Sequence, residues 1–379
     1  MKNPKKGKVV FKNPTFASVA VLIGAMIGAG FLGIPHVVAK SGFIIGAIHI
    51  IFLGIIMLIV NLYLGEVTLR TKGNNQLTGY AEKYIGKTGK TITLLVLIFG
   101  IFSSLIAYLI GISESISQIL IGSGEISFQI ALVVWAFLSL ITFFGVNVFK
   151  EGEIIGLFLM GAFLIGIVAV FAPQININNL TYTNPSQFFA PFGVILFSFL
   201  SLAALPELER ILENNKEKMK KAIILGSIIP IIGYLLFTIV VVGVTGSNAS
   251  EVSTISLGPV FILLGIITMS TSYLALMTVL KSIFHFDYKV PRKMAWIIIS
   301  ALILNIYLLI KDQAITFSSI LGTAGIISGT AMVLLILLMV EKAKKHGERD
   351  PEYIMPLNRI LILIIILVFI AGGALSLFN

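Results

Sequence analysis

Eleven apolar stretches, each long enough to cross a bilayer, occupy most of the chain and leave little sequence for anything else. They run over residues 14–39, 43–65, 91–119, 127–147, 153–172, 187–206, 220–245, 259–283, 292–310, 314–340 and 356–378. A crossing helix needs about 20 apolar residues. Lipid offers no partners for backbone N–H and C=O groups, so each stretch must satisfy its own backbone, which makes it a helix. A barrel would instead show alternating segments of about 10 residues. Composition agrees. Charged residues are 12% and hydrophobic residues 57%, against about 25% charged in soluble domains. The chain is too poor in charge to coat a water-soluble globule and too apolar to be disordered. With no cysteine, disulfide frameworks and thiolate metal sites are excluded. The histidines, His36, His49, His285 and His346, are scattered. An all-α polytopic membrane protein is expected.

Charge sets the expected topology. Lys2, Lys5, Lys6, Lys8 and Lys12 precede span 1, and further basic residues follow spans 2, 4, 6, 8 and 10. Of the 27 Lys and Arg, all but Lys40 and Lys311 fall on one side. By the positive-inside rule the N-terminus is cytoplasmic and the C-terminus external, in a cytoplasmic-type membrane. The net charge of +10 reads as attraction to anionic lipid. Split among separate loops, it gives no nucleic-acid surface. The Lys-rich start before an apolar stretch imitates a signal peptide, but the stretch is too long and is read as span 1.

Two spans depart from the Ile/Leu/Val/Phe pattern. Residues 24–35 read G-A-M-I-G-A-G-F-L-G-I-P, four glycines and a proline in one stretch. Each glycine weakens helix by about 1 kcal/mol relative to alanine, and Pro35 lacks a backbone donor. Residues 197–207, in span 6, read F-S-F-L-S-L-A-A-L-P-E. Close helix packing alone explains a glycine-rich span. The positions of the two segments favour another reading. One opens spans 1–5 and the other opens spans 6–10. Because five is odd, these halves run oppositely through the membrane. Interrupted helices at matching places in inverted halves mark a secondary transporter's binding site. Unwound backbone frees N–H groups for a carboxylate and carbonyls for an ammonium or Na⁺, and glycine at Gly28 and Gly30 admits a ligand close to the chain. An amino acid zwitterion fits this geometry.

Residues 24–35 resemble the helix 1 signature of the amino acid–polyamine–organocation superfamily, nearest its amino acid/auxin and aromatic amino acid permease branches. Residues 191–208, P-F-G-V-I-L-F-S-F-L-S-L-A-A-L-P-E-L, and 78–90, T-G-Y-A-E-K-Y-I-G-K-T-G-K, resemble the same branches. The resemblance implies a leucine-transporter-like fold. It comprises a tail over 1–13, a first inverted repeat over 14–172, a second over 187–340, and a peripheral helix 11 over 356–378. It also implies a pocket whose backbone contacts come from Gly24, Ala25, Gly28, Ala29 and Gly30 and from Phe197, Ser198 and Ser201. The substrate side chain would lie against Met26, Phe197, Phe199, Ser104 and Tyr108.

Two coupling ions are expected to compete. Sodium-coupled members of this fold bind Na⁺ between helix 1 carbonyls, here Gly24 and Ile27, and helix 8 hydroxyls. Thr268, Thr271 and Ser272 fall on one face of span 8 at i, i+3 and i+4. The alternative is that these hydroxyls bond their own helix. Some proton-coupled relatives use a lysine on helix 5, and residues 154–171 contain none. Glu114 is the carboxylate inside a span, a proton carrier if dry and a vestibular group if wet. His36 is read as vestibular or as a titrating gate, and Glu207 with Arg210 as an inner pair or a solvated helix end. Apart from a candidate Na⁺, no cofactor is expected. Neither H-E-x-x-H nor a paired acid/base set is present, so no enzyme is expected. The expected activity is uptake of a neutral amino acid coupled to Na⁺ or H⁺. Export, exchange or sensing on the same fold, and less so a channel, are the alternatives.

Overall fold

The computed structural model describes residues 13–73, 75–144, 152–286 and 288–377, with the side chains of 152–160 and 286 outside that description. The basic tail before Asn13, and Lys150, lie outside the described residues. Among the described residues the ordered structure is helical throughout: α1 (Pro14–Met26), α2 (Ile34–Ser41), α3 (Phe43–Arg70), α4 (Leu77–Ile85), α5 (Lys87–Ile121), α6 (Ser127–Phe144), α7 (Gly152–Phe171), α8 (Ile177–Thr181), α9 (Phe192–Ser198), α10 (Leu205–Leu212), α11 (Met219–Thr245), α12 (Pro259–Phe286), α13 (Arg292–Ile310), α14 (Phe317–Ala324), α15 (Thr330–His346) and α16 (Arg359–Leu377).

Nine helices or helix runs among the described residues are long and apolar enough to cross a membrane, and the bent pair around residue 27 makes ten. The expectation of eleven is therefore met only to that count. At the place of span 5 stands α7 (Gly152–Phe171), 20 residues long, whose side chains are described from Gly161 onward.

Local signals explain the boundaries. Asn13 caps α1 by accepting from the Phe16 N–H at 3.2 Å, with Pro14 in the first turn. Gly42 divides α2 from α3 at φ 96°, where a Cβ would run into the Tyr182 carbonyl. Helix α3 runs to Arg70, past the apolar stretch that ends at 65. Its Glu66 is completely buried because three donors meet it: Arg70 Nε at 2.8 Å, Lys344 Nζ at 2.7 Å and the Met355 N–H at 2.8 Å. That cluster ties α3 and α15 to the segment leading into α16 near the Lys-rich end of the bundle.

Burial orders the helices from centre to rim. The apolar window of the α9–α10 run is 72% buried and that of α14–α15 is 67%, while α16 is only 22% buried. Helix α9 packs on α14 and on a π-helical turn, Gly325–Gly329, that joins α14 to α15. Backbones meet there: a Cβ on Gly193 would lie 2.5 Å from the Gly322 carbonyl, and one on Gly325 would strike the Gly193 carbonyl. Helix α1 packs on α11, α10 and α7. The two interrupted spans thus sit at the centre, with α11 behind both.

Candidate functional site

Span 1 loses its α-helix where the glycines cluster. The Ile27 N–H still reaches the Ile23 carbonyl at 2.7 Å, but Ile27 has ψ 56° and Gly28 has ψ −164°. A 3₁₀ turn, Ala29–Gly33, follows, and α2 restarts with Pro35 in its first turn. The two halves are bent by 43°. In span 6, α9 ends at Ser198, Leu202–Ala204 forms a 3₁₀ turn, and α10 restarts with Pro206 in its first turn. This span continues as one 21-residue crossing without so large a bend. Among the described residues, the N–H groups of Gly28 and Ser201 make no backbone hydrogen bond.

One side chain joins the breaks. The Tyr234 hydroxyl on α11 lies 2.7 Å from the Met26 carbonyl and 2.8 Å from the Ser198 carbonyl. Met26 and Ser198 are the last residues of α1 and α9, so two half-helix C-termini, each carrying partial negative charge, converge on that oxygen. A phenol has one proton to donate. It satisfies one carbonyl and leaves the other facing a second acceptor. The place suits an added cation or ammonium donor.

The predicted residues divide around this point. Gly30 and Phe197 are brought together: a Cβ on Gly30 would sit 2.8 Å from Phe197 Cδ1, with Ser198 Oγ at 3.4 Å. The Phe197 ring therefore packs directly over the Gly30 backbone. Tyr108 on α5 faces the first break, its hydroxyl lying 3.8 Å from a Cβ built on Gly28. Gly24 and Ala25 are exposed, and a Cβ on Gly24 meets nothing within 4 Å. Phe199 turns to the back of the site. It is buried against Gly54 of α3, with its ring centroid 5.0 Å from that of Tyr234. The Ser198 hydroxyl donates to Val194 at 2.9 Å and that of Ser104 to Gly100 at 2.7 Å, each within its own helix. Ser201 accepts from Asn61 Nδ2 at 3.4 Å, and the buried Asn61 Oδ1 has no partner.

Among the ion-site residues, the Thr268 hydroxyl donates to Leu264 at 2.9 Å and Thr271 to Thr268 at 3.0 Å, so both are engaged along their own helix. No cluster of His, Asp and Glu that could hold a metal occurs among the described residues. Glu114 on α5 is half-buried, and its charged neighbour is Glu251, in the loop between α11 and α12. Glu207 pairs with Arg210 at 3.2 Å on a solvent-facing turn. A cavity of about 280 Å³ lies away from the breaks, at the corner formed by Ala39, Gly42, Asn179 and Tyr182. It has no convergent charge and is a surface recess.

Sequence reasoning missed Tyr234, Asn61 and Glu66. Each is a polar side chain within or at the edge of an apolar run, and that was the available signal.

Comparison with known proteins places the chain. The Tryptophan/tyrosine permease family matches residues 12–273. Glutamine transporter 2 of Aliivibrio fischeri is 28% identical over 248 residues, covering 64% of each chain. Tyrosine-specific transport system 1 of Haemophilus influenzae is 24% identical over 238 residues, 62% of this chain and 59% of that one. Tyrosine-specific transport system 2 of the same organism is 25% identical over 252 residues, 63% and 60% respectively. The matches thus span less than two thirds of each relative's length. With the family matching well over half of its residues, the chain belongs to the Tryptophan/tyrosine permease family.

Proposed function

We propose that the protein is a secondary active transporter that takes up a neutral amino acid with an apolar or aromatic side chain, driven by Na⁺ or H⁺. The observation that carries this reading is the meeting of two half-helix C-termini at Tyr234, beside the unpaired N–H groups of Gly28 and Ser201. Carbonyls and N–H groups exposed mid-membrane favour a ligand with both charges, and the segments contain no formal charge to favour a cationic or anionic side chain. In this reading the ammonium binds the Met26 and Ser198 carbonyls. The carboxylate takes the backbone at Gly28, Ala29 and Gly30, with Tyr108 alongside. Swinging the Phe197 ring off Gly30 opens room for the substrate side chain. The names of the relatives, for glutamine and tyrosine, support a neutral amino acid.

The fold is proposed to be leucine-transporter-like, five helices plus five inverted, with α16 peripheral and alternating access by rocking of one bundle. The Lys-rich end is proposed as cytoplasmic, with the C-terminus external, in the cell membrane. Two coupling routes remain within the proposal. Na⁺ would use the Gly24 and Ile27 carbonyls with Thr268, Thr271 and Ser272 after the two helices draw together. H⁺ would use Glu114.

The test is uptake by proteoliposomes holding purified protein, with the proteinogenic amino acids offered under an inward Na⁺ or pH gradient. Gradient-driven accumulation of a neutral amino acid is expected. If nothing accumulates under either gradient, the proposal is overturned.

A further inference from the structure

At the end of the bundle proposed to be external, one histidine fastens three elements. His36 on α2 has both ring nitrogens against oxygen: Nδ1 lies 2.7 Å from the Ala249 carbonyl, and Nε2 lies 2.9 Å from Glu251 Oε1. The second approach is bent off the N–H axis, so it is an electrostatic contact rather than an aligned hydrogen bond. The other oxygen of Glu251 accepts the Ser318 N–H at 3.0 Å, at the start of α14. The loop that carries Ala249 and Glu251 is seated in the bundle, with Val252, Ser253 and Thr254 fully buried.

A neutral imidazole has one N–H and one lone pair. Here the lone pair would face either a carbonyl or a carboxylate, and only the imidazolium suits both. The other charged group facing the pair is Glu114 on α5, which adds negative charge beside Glu251 and is itself faced by Tyr307 of α13. Ser318 contributes its N–H and its hydroxyl from α14. Burial alone would raise the Glu251 carboxyl, but the close contact with His36 and its charge, together with the Ser318 hydrogen bonds, hold it down at about 2. Glu251 therefore stays charged across ordinary pH, so a proton on His36 faces a carboxylate rather than a neutral acid.

We propose that His36 and Glu251 form a proton-binding latch, in which a proton on His36 holds the 246–258 loop against α2 and α14 and closes the outer mouth of the site. Its loss leaves two acceptors face to face, and the loop lifts. Low external pH therefore favours the closed mouth and high pH the open one. This rests on the proposed orientation, not on substrate identity.

The chain has no cysteine, so a single S253C reports the loop directly. Purified protein in proteoliposomes is labelled with a membrane-impermeant maleimide at about pH 6 and about pH 8.5. H36K keeps a positive charge at both values and serves as the reference for the thiol's own ionisation. With S253C alone, labelling should rise several-fold more between the two values than with S253C/H36K. S253C/E251Q should label readily at both. Equal pH ratios with and without H36K, or a protected S253C/E251Q, would overturn the latch. If S253C disturbs folding, the pH profile of uptake, with equal pH on both sides, replaces it. The profile should flatten in H36K, and an unchanged profile overturns the latch. Labelling needs no substrate, so a failed latch and a failed transport reading are separable.

Discussion

Gly28 and Gly30 are two residues apart, yet alanine at each should fail differently. A methyl on Gly30 would sit 2.8 and 2.9 Å from two carbons of the Phe197 ring. The ring cannot simply back away, because the base of Phe197 already lies within 2.9 Å of the Cβ position on Gly325. Relief requires rotating the ring, and overpacking of this kind costs about 1–3 kcal/mol. Gly30→Ala should lower the melting temperature of the substrate-free protein accordingly. A methyl on Gly28 meets only the Tyr108 hydroxyl, at an ordinary 3.8 Å. Gly28→Ala should leave stability within about 0.5 kcal/mol of the parent. It does fill the space where the substrate carboxylate is proposed to approach the chain, so KM should rise about tenfold or more, about 1.4 kcal/mol of lost binding. Thermal melting in detergent and uptake kinetics in proteoliposomes measure the two effects separately. The reasoning is refuted if Gly28→Ala transports with the parent KM, or if it is destabilised as much as Gly30→Ala.

Three further outcomes are expected. Tyr234→Phe leaves the Met26 and Ser198 carbonyls buried without a donor, which should cost the empty protein about 1–3 kcal/mol; a substrate ammonium replaces that donor, so the ligand-induced rise in melting temperature should be larger than in the parent, and an equal or smaller rise argues against the proposed site. Glu66→Gln strips the carboxylate from Arg70, Lys344 and the Met355 N–H and should destabilise by about 3–5 kcal/mol, read by thermal melting, with no change in ion dependence of uptake. Glu251 is held at about 2 against an ordinary 4.5, so its stabilising effect is complete above about pH 4.5 and disappears as pH falls to about 2; Glu251→Gln should flatten that acid limb of the melting curve, and an unchanged limb would assign it to other carboxylates.

The parts of the molecule that could be read from sequence are those governed by local rules. Residues 24–35 concentrate glycine ahead of Pro35, and span 6 places Pro206 after its serines; both segments lose α-helix where that chemistry says they should. What could not be read is which group answers each break. Tyr234 lies 208 residues from Met26 and 36 from Ser198, and nothing near it in an apolar stretch distinguishes its hydroxyl from one that merely faces lipid. Ser198 shows the opposite error: a hydroxyl beside the break looks available, yet it donates to Val194 one turn back and leaves its carbonyl to do the work. Glu66 escaped because a charge at the end of an apolar run reads as the membrane's edge, whereas distant Lys344 and Met355 let the helix continue around it. An interrupted membrane helix must find donors for the carbonyls it frees. A lone tyrosine or asparagine in an otherwise apolar span therefore becomes informative once two breaks have been located, because those side chains are the available donors for the freed carbonyls. In this chain Tyr234 fills that role, with one proton for two carbonyls, and the shortfall is what a substrate ammonium is proposed to make up.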